Sequence, residues 1–314
     1  MKEMFEGLRV LVTGGAGFVG SHLVETLINS GASVVVLDDL STGKMENIDH
    51  VKGRCEVVID DVRKRSVLER IGKVDIIFHE AARALLPSFE DPNLDLQVNT
   101  GGTINILEMA RKWDAKVIHA STGSVYGNPV KLPISENHPL KPISPYAISK
   151  LAAEIYCNFY FREYSLFVVC LRYFNVYGPR QAISEEMGVI PIFVSRALAK
   201  KPPVIFGDGK QTRDFTHVSD VVNANLLAAA TEEAKGKTVN IGTGTEISIL
   251  DLASVILRLC NCGLNPVFSD PKPGDIRRLV ADISLAKEIM GYAPEVPLKK
   301  GILDYISWYK GTKH

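Results

Sequence analysis

The sequence predicts an α/β fold, a doubly wound parallel sheet with a smaller, discontinuous C-terminal α/β lobe. Three observations predict it. Short apolar runs alternate with helix-patterned stretches as far as Ala120. The first run, Leu8–Val12, feeds a glycine turn, Thr13-Gly14-Gly15-Ala16-Gly17-Phe18-Val19-Gly20, that opens a helix. Beyond about residue 172 the texture changes, and Pro179, Pro191, Pro202-Pro203 and Gly207-Asp208-Gly209 break the alternation.

In the turn, Gly14, Gly17 and Gly20 recur every third residue. Missing Cβ atoms let backbone approach a pyrophosphate, and the helix N-terminus offers free N–H groups and the positive end of a dipole. The helix continues over Ser21–Asn29, with Leu23, Leu27 and Ile28 at helical spacing and Gly31 closing it. Ser33–Leu37 reads as a second strand ending in Asp38-Asp39. An acidic side chain there accepts the hydrogen bonds of an adenosine ribose and repels a 2′-phosphate, so NAD is favoured over NADP. Cys55–Ile59 is a third strand running into Asp60-Asp61-Val62, and Asp75–His79 a fourth, followed by Glu80-Ala81-Ala82. Asn99–Arg111 reads as a helix and Lys116–Ala120 as a fifth strand. That rhythm implies a parallel Rossmann sheet covered on both faces. Helical patterns return at Val218–Thr231 and Ile249–Cys260, with a strand-like Thr238–Ile241 between them. The expected division is an NAD-binding domain over 1–172 plus about 214–241, and a second lobe over about 173–213 plus 242–314.

Lys+Arg and Asp+Glu cancel at 36 each in 314 residues, which excludes the basic excess of a nucleic-acid or membrane surface. Five cysteines (Cys55, Cys157, Cys170, Cys260, Cys262) form neither a CxxC pair nor a metal-ligand spacing. Their odd number argues against a disulfide framework and for a reducing compartment. Lys2, Glu3 and Glu6 lead straight into the first strand, and no run reaches the roughly 18 apolar residues of a membrane span. The expectation is a cytoplasmic protein with no metal, no nucleic-acid partner and no membrane partner.

Tyr146-Ala147-Ile148-Ser149-Lys150 follows Pro142-Ile143-Ser144-Pro145 and opens an aromatic-rich helix. Tyr146 and Lys150, four apart, share one face. A phenol titrates near pH 10 in water, and an adjacent ammonium favours the phenolate, so the pair is an acid/base device for an alcohol. The fifth strand leads into Ser121-Thr122-Gly123-Ser124, whose hydroxyls lie at its C-terminal end beside any bound cofactor. A hydroxyl there is placed to share the reacting proton, with Ser121, Thr122 and Ser124 as the candidates.

With these residues in place, the chain resembles the extended short-chain dehydrogenase/reductase family and, within it, the UDP-hexose 4-epimerases acting on UDP-glucose or UDP-N-acetylglucosamine. The shared motifs are TGGAGFVG at 13–20, Asp60-Asp61-Val62, His79-Glu80-Ala81-Ala82, STGSVYG at 121–127 and SPYAISK at 144–150. LRYFNVYGPRQ at 171–181, GDGKQTRDFTHVSD at 207–220 and PGDIRRLVAD at 273–282 extend the match. The resemblance implies Tyr146, Lys150 and Thr122 as the catalytic set. It implies Gly14, Gly17, Phe18 and Val19 at the pyrophosphate, Asp38 with Asp39 at the ribose, and Asp61 and Val62 at the adenine. Ala81, Asn99 and Tyr173, with Tyr146 and Lys150, complete the NAD site. On the substrate side it implies Asn175 and Arg213 at the diphosphate, Val204 and Phe206 at the uracil, Asp275 at the nucleotide ribose and Lys272 beside the diphosphate. Leu279 falls where the sugar C2 substituent is screened; intermediate in bulk, it leaves N-acetylhexosamines open. A homodimer through the Asn99–Arg111 and Tyr146–Tyr164 helices is implied too.

Departures narrow the chemistry. Gly123 and Ser124 stand where related dehydratases carry Asp-Glu and decarboxylases carry Glu, so the acid and base of those eliminations are missing. Lys272 replaces an arginine and loses its bidentate fork. Arg83 has no counterpart and is read as either a phosphate contact or a solvated side chain. The expected function is NAD-dependent inversion at C4 of a UDP-hexose. The rivals are a UDP-glucuronate 4-epimerase or a reductase of the same fold and, more remotely, a non-catalytic NAD sensor.

Overall fold

The computed structural model describes residues 4–183, 188–271 and 276–312. Its first part runs β1 (Arg9–Thr13), α1 (Phe18–Asn29), β2 (Ser33–Asp38), β3 (Cys55–Ile59), α2 (Arg65–Ile71), β4 (Ile76–His79), α3 (Leu85–Glu90) and α4 (Pro92–Leu96). There follow α5 (Gly102–Trp113), β5 (Lys116–Thr122), α6 (Pro145–Tyr164) and β6 (Val168–Tyr173). With Thr238–Ile241 these strands build a seven-stranded sheet in the order Thr238–Ile241, β6, β5, β4, β1, β2, β3. Every pairing in it is parallel, as the sequence predicts. Strand order reverses between β1 and β4, which opens a crevice at their carboxyl ends.

Because both faces are covered, each apolar run is shared between two cores. Val10, Val12, Val34, Val36, Phe78 and Ile118 pack with Leu23 and Leu27 of α1 on one face. Leu11, Val35, Leu37, Ile77 and Val117 pack with Leu68 of α2 and Ile106 and Leu107 of α5 on the other. A third core joins the helices Val189–Leu198, Ile249–Leu259 and Leu298–Gly311 through Phe193, Leu252, Ile256 and Tyr305. The strands beside it are two or three residues long: Val204–Phe206 against Val267–Ser269, and Thr212–Arg213 between Ile247–Ser248 and Arg278–Leu279. Asp214 ties this region together, accepting N–H groups from Thr243 at 2.9 Å, Gly244 at 3.0 Å and Ala281 at 3.2 Å.

One boundary differs in a way that matters. The helix expected from Asn99 begins at Gly102, because Gln97–Gly101 forms a π turn. Such a turn inserts a residue and re-aims side chains; here it accompanies an Asn99 that is fully buried. The sheet also gains β6, to which the apolar pattern assigned no element. The start of α6 follows the expected chemistry: Ser144 accepts the Ala147 N–H at 3.2 Å and Pro145 occupies the first turn.

Two histidines lie side by side on neighbouring strands, with ring centroids 5.4 Å apart and planes tilted by 37°. His79 bridges Thr13 Oγ1 at 2.7 Å and Thr103 Oγ1 at 3.0 Å. His119 is fully buried and neither ring nitrogen has a partner. Burial holds both imidazoles neutral, His79 down to about 3 and His119 well below its ordinary value. An unfolded His119 takes up a proton below about pH 6.5, whereas the native one does not, so acid favours the unfolded chain at this site. His119→Leu removes that linkage and an unpaired polar group. It is expected to hold stability at pH 7 and to gain up to about 2 kcal/mol over the parent on going to pH 5, read by urea denaturation.

Candidate active site

The crevice is built on the turn after β1. Gly14 adopts φ +66°, and a Cβ there would lie 2.8 Å from the Ala81 backbone nitrogen at the end of β4. A Cβ on Gly20 would lie 2.1 Å from the Gly14 carbonyl oxygen, so the turn closes only with glycine. Gly17 is the N-cap of α1 and contributes no capping side chain, and the first turn of the helix holds no acid. The opening N–H groups, those of Phe18 and Val19 included, therefore stay available to an anion. At the end of β2, Asp38 is 7% exposed and accepts N–H groups from Ala16 at 2.9 Å and Leu40 at 2.8 Å. Burial pushes its carboxyl up, and those two donors oppose the shift. Asp39 is exposed and accepts from Ser41. After β3, Asp61 pairs with Arg63 and Val62 packs against Gly102. An uncapped helix start, a glycine cradle and a carboxylate at the second strand's end fit a dinucleotide; Asn99 fits less directly. Its amide is committed, accepting the Arg83 N–H at 2.8 Å and donating to Asp95 at 2.9 Å and Ser149 at 3.0 Å.

A cleft of about 260 Å³ lies at the ends of β5 and β6, lined by Ser121, Thr122, Gly123, Ser124, Tyr146, Tyr173, Asn175, Val176 and Leu279. Thr122 is the last residue of β5, and it lines the cleft together with Tyr146, whose phenolate its hydroxyl favours. Of the alternatives, Ser121 turns away to donate to the buried Glu154, and Ser124 bonds Thr122 Oγ1 at 3.1 Å. Burial pushes the Tyr146 phenol up to about 12; Thr122 opposes that, and the carboxylates of Asp95 and Glu80 add to it. Lys150, one turn further along α6, is 1% exposed, and burial lowers its ammonium pKa against the charge of Glu80.

Asn175 sits in the left-handed region at φ +30° and donates to the Asp214 carbonyl at 3.2 Å. Arg213 is the register partner of Leu279, which brings the predicted diphosphate and C2-screening positions together. Val204 and Phe206 point the same way from their short strand, Phe206 38% exposed. Lys272 and Asp275 lie outside the described residues. A Cβ on Gly123 would lie 3.1 Å from the Phe174 ring, so a larger residue there would crowd that ring. Arg83 is half-buried, its Nε unpartnered and one terminal nitrogen 3.3 Å from the Pro87 carbonyl. Sequence reasoning missed Glu80, which accepts the Tyr173 hydroxyl at 2.9 Å behind the cleft; its only signal was a charged residue at the end of an apolar strand.

A sheet in this order, with a glycine turn and a Tyr-Lys-Thr set at its carboxyl edge, defines a dinucleotide-binding fold of the short-chain dehydrogenase/reductase class. The chain belongs to the NAD dependent epimerase/dehydratase family, whose model matches residues 10–242. It is 40% identical over 310 residues to the UDP-glucose 4-epimerase of Mycolicibacterium smegmatis, covering 96% of this chain and 99% of that one. Among solved structures it superposes on the UDP-glucose 4-epimerase of Thermotoga maritima with UDP-glucose at TM-score 0.93 and 38% identity, covering 98% of this chain and 100% of that one. It also superposes on a UDP-glucuronic acid 4-epimerase mutant of Bacillus cereus, in complex with UDP-4-deoxy-4-fluoro-glucuronic acid and NAD, at TM-score 0.90 and 32% identity, covering 97% and 100%.

Proposed function

We propose that this protein is an NAD-dependent UDP-hexose 4-epimerase that interconverts UDP-glucose and UDP-galactose through a transient 4-keto sugar. The presence of Tyr146 and Thr122 together in the lining of one cleft, with Lys150 one turn further along α6, carries the reading. NAD, when bound, supplies the acceptor and donor of the C4 hydrogen. Tyr146 takes the proton of the C4 hydroxyl and returns it to the inverted centre, Thr122 shares that proton, and Lys150 supplies the charge that favours the phenolate. Gly14, Gly17, Phe18 and Val19 would hold the pyrophosphate, Asp38 and Asp39 the ribose, and Asp61 and Val62 the adenine, with Ala81 and Tyr173 along the strand ends and Asn99 contributing from its π turn. Asn175 and Arg213 would anchor the substrate diphosphate while the keto sugar turns, and Val204 and Phe206 would flank the uracil. Since oxidation and reduction cancel, NAD need never leave. The test offers UDP-galactose, UDP-N-acetylglucosamine and UDP-glucuronate to the purified protein without added cofactor. We expect UDP-glucose from UDP-galactose. Inversion of UDP-glucuronate alone moves the reading to the glucuronate enzyme, and inversion of none overturns it.

The reading extends to a homodimer. On α6 the side chains of Ile148, Ile155, Tyr156 and Phe159, 53%, 61%, 42% and 48% exposed, make an apolar stripe at helical spacing. Tyr160, turned inward, donates to Glu108 of α5 at 2.6 Å and joins the two helices into one surface. Light scattering is expected to return a dimer, and Ile155→Glu a monomer with an unchanged circular dichroism spectrum.

A further inference from the structure

Tyr146 and Lys150 serve one cleft only if α6 is held at a single azimuth. The first turns of that helix bury Ala147 and Ala153, both fully, and methyl groups alone hold no angle. Ser149, 1% exposed, lies between the pair and bonds to three residues of other elements.

Its hydroxyl donates to Asp95 Oδ2 of α4 at 2.5 Å and accepts Asn99 Nδ2 of the π turn at 3.0 Å. Its carbonyl accepts the Thr100 hydroxyl at 2.9 Å. Asp95 is fully buried, and its Oδ1 accepts the same Asn99 amide at 2.9 Å. Side chains from three elements thus close a triangle. At the helix start, the Tyr146 N–H donates to Ser88 Oγ of α3 at 3.1 Å, which ties in a fourth.

With Asp95 ionised, the protons of the triangle have one arrangement. The Arg83 N–H, 2.8 Å from Asn99 Oδ1, fixes which end of that amide is oxygen. The two amide hydrogens then go to Asp95 and Ser149, both nearer than the Arg83 carbonyl at 3.4 Å. Having accepted one of them, Ser149 gives its own proton to Asp95, which is nearer than the Tyr146 carbonyl at 3.0 Å. The carboxylate therefore meets one donor from the π turn and one from α6, and such bonds weaken steeply off axis. A rotated α6 loses them.

We propose that Asp95 is a positioning residue of the reaction: through Ser149 and Asn99 it sets the azimuth at which α6 presents Tyr146 and Lys150 to the cleft. This rests on those two being the acid/base pair of the proposed function. A reacting group misplaced by about 1 Å loses on the order of 10²-fold in rate. The same bonds explain why the Asn99 amide is committed within the protein.

The test compares kcat and KM for UDP-galactose, and amide hydrogen exchange without substrate, across four variants. Asp95→Ala and Ser149→Ala are each expected to lower kcat by about 10–100-fold while KM stays within about threefold of the parent's. Combined, they are expected to be little slower than either alone, because both cut the same link. Asp95→Asn is expected to recover most of the rate. Its Oδ1 still accepts from Asn99, and its Nδ2 donates to Ser149, whose proton turns to the Tyr146 carbonyl. Exchange is expected to quicken over residues 146–153 in both alanine variants and to stay unchanged over 156–164. An unchanged kcat in Ser149→Ala overturns the proposal, even where Asp95→Ala does not fold. A loss carried by KM, or an Asp95→Asn as slow as Asp95→Ala, overturns it too. Quickened exchange in a protein whose parent inverts no UDP-hexose sinks the functional reading alone. An active parent whose Ser149→Ala variant keeps both rate and protection sinks this inference alone.

Discussion

Tyr146→Phe is expected to keep the fold and the bound NAD and to lose turnover by about 10²–10⁴-fold, the usual worth of a positioned acid/base group. The substitution removes one oxygen, on a ring that lines the cleft beside Thr122. The ring stays on α6 between the same neighbours, so the loss falls on the chemical step. At a phenol pushed up to about 12, only about one molecule in 10⁵ carries phenolate at pH 7. The loaded site must therefore supply positive charge, and Lys150 is the chain's own source of it. Lys150→Met is expected to slow the parent strongly and to add little to Tyr146→Phe, because the two act as a unit. Steady-state rates with NAD content measured on the same samples check both. Full turnover in Tyr146→Phe would remove the catalytic assignment.

The second large effect is on stability. Glu154 and Arg172 are 2% and 4% exposed and form a forked ion pair between α6 and β6. The guanidinium also donates to the Tyr126 hydroxyl at 2.8 Å, which in turn donates to Asn240 at 2.7 Å. Ser121 donates to the same glutamate. Glu154→Ala strands a buried guanidinium and is expected to cost about 3–5 kcal/mol, a large share of the roughly 5–15 kcal/mol that a folded protein holds. Removing both charges as Glu154→Met with Arg172→Met is expected to recover most of that loss, since the pair pays heavily in desolvation. Urea denaturation of the single and double variants checks the difference. A single variant within about 1 kcal/mol of the parent would mean that water reaches Arg172, contrary to its burial.

The sheet was legible because β1, β2, β4 and β5 are short apolar runs buried on both sides and β3, at the edge, is a half-exposed one, each with a turn or helix signal after it. Asp38, the glycine turn and the Tyr146/Lys150 spacing were legible because their chemistry needs those residues at those separations along one local element. What stayed hidden depends on partners distant in sequence. Glu154 meets Arg172 across 18 residues and Glu80 meets Tyr173 across 93, and no periodicity reports such pairs. The π turn at Gln97–Gly101 was hidden for a related reason. Its spacing is set by what Asn99 bonds, Asp95 and Ser149, rather than by its own apolar pattern. The short strands beside the third core, two or three residues each, are too brief for alternation to show.

The central claim is that C4 is oxidised and reduced within one site with no net change. UDP-galactose carrying deuterium at C4, incubated in ordinary water without added NAD, tests this most directly. The account predicts UDP-glucose with deuterium retained at C4. Product carrying solvent hydrogen there, or no C4 epimer at all, would contradict it.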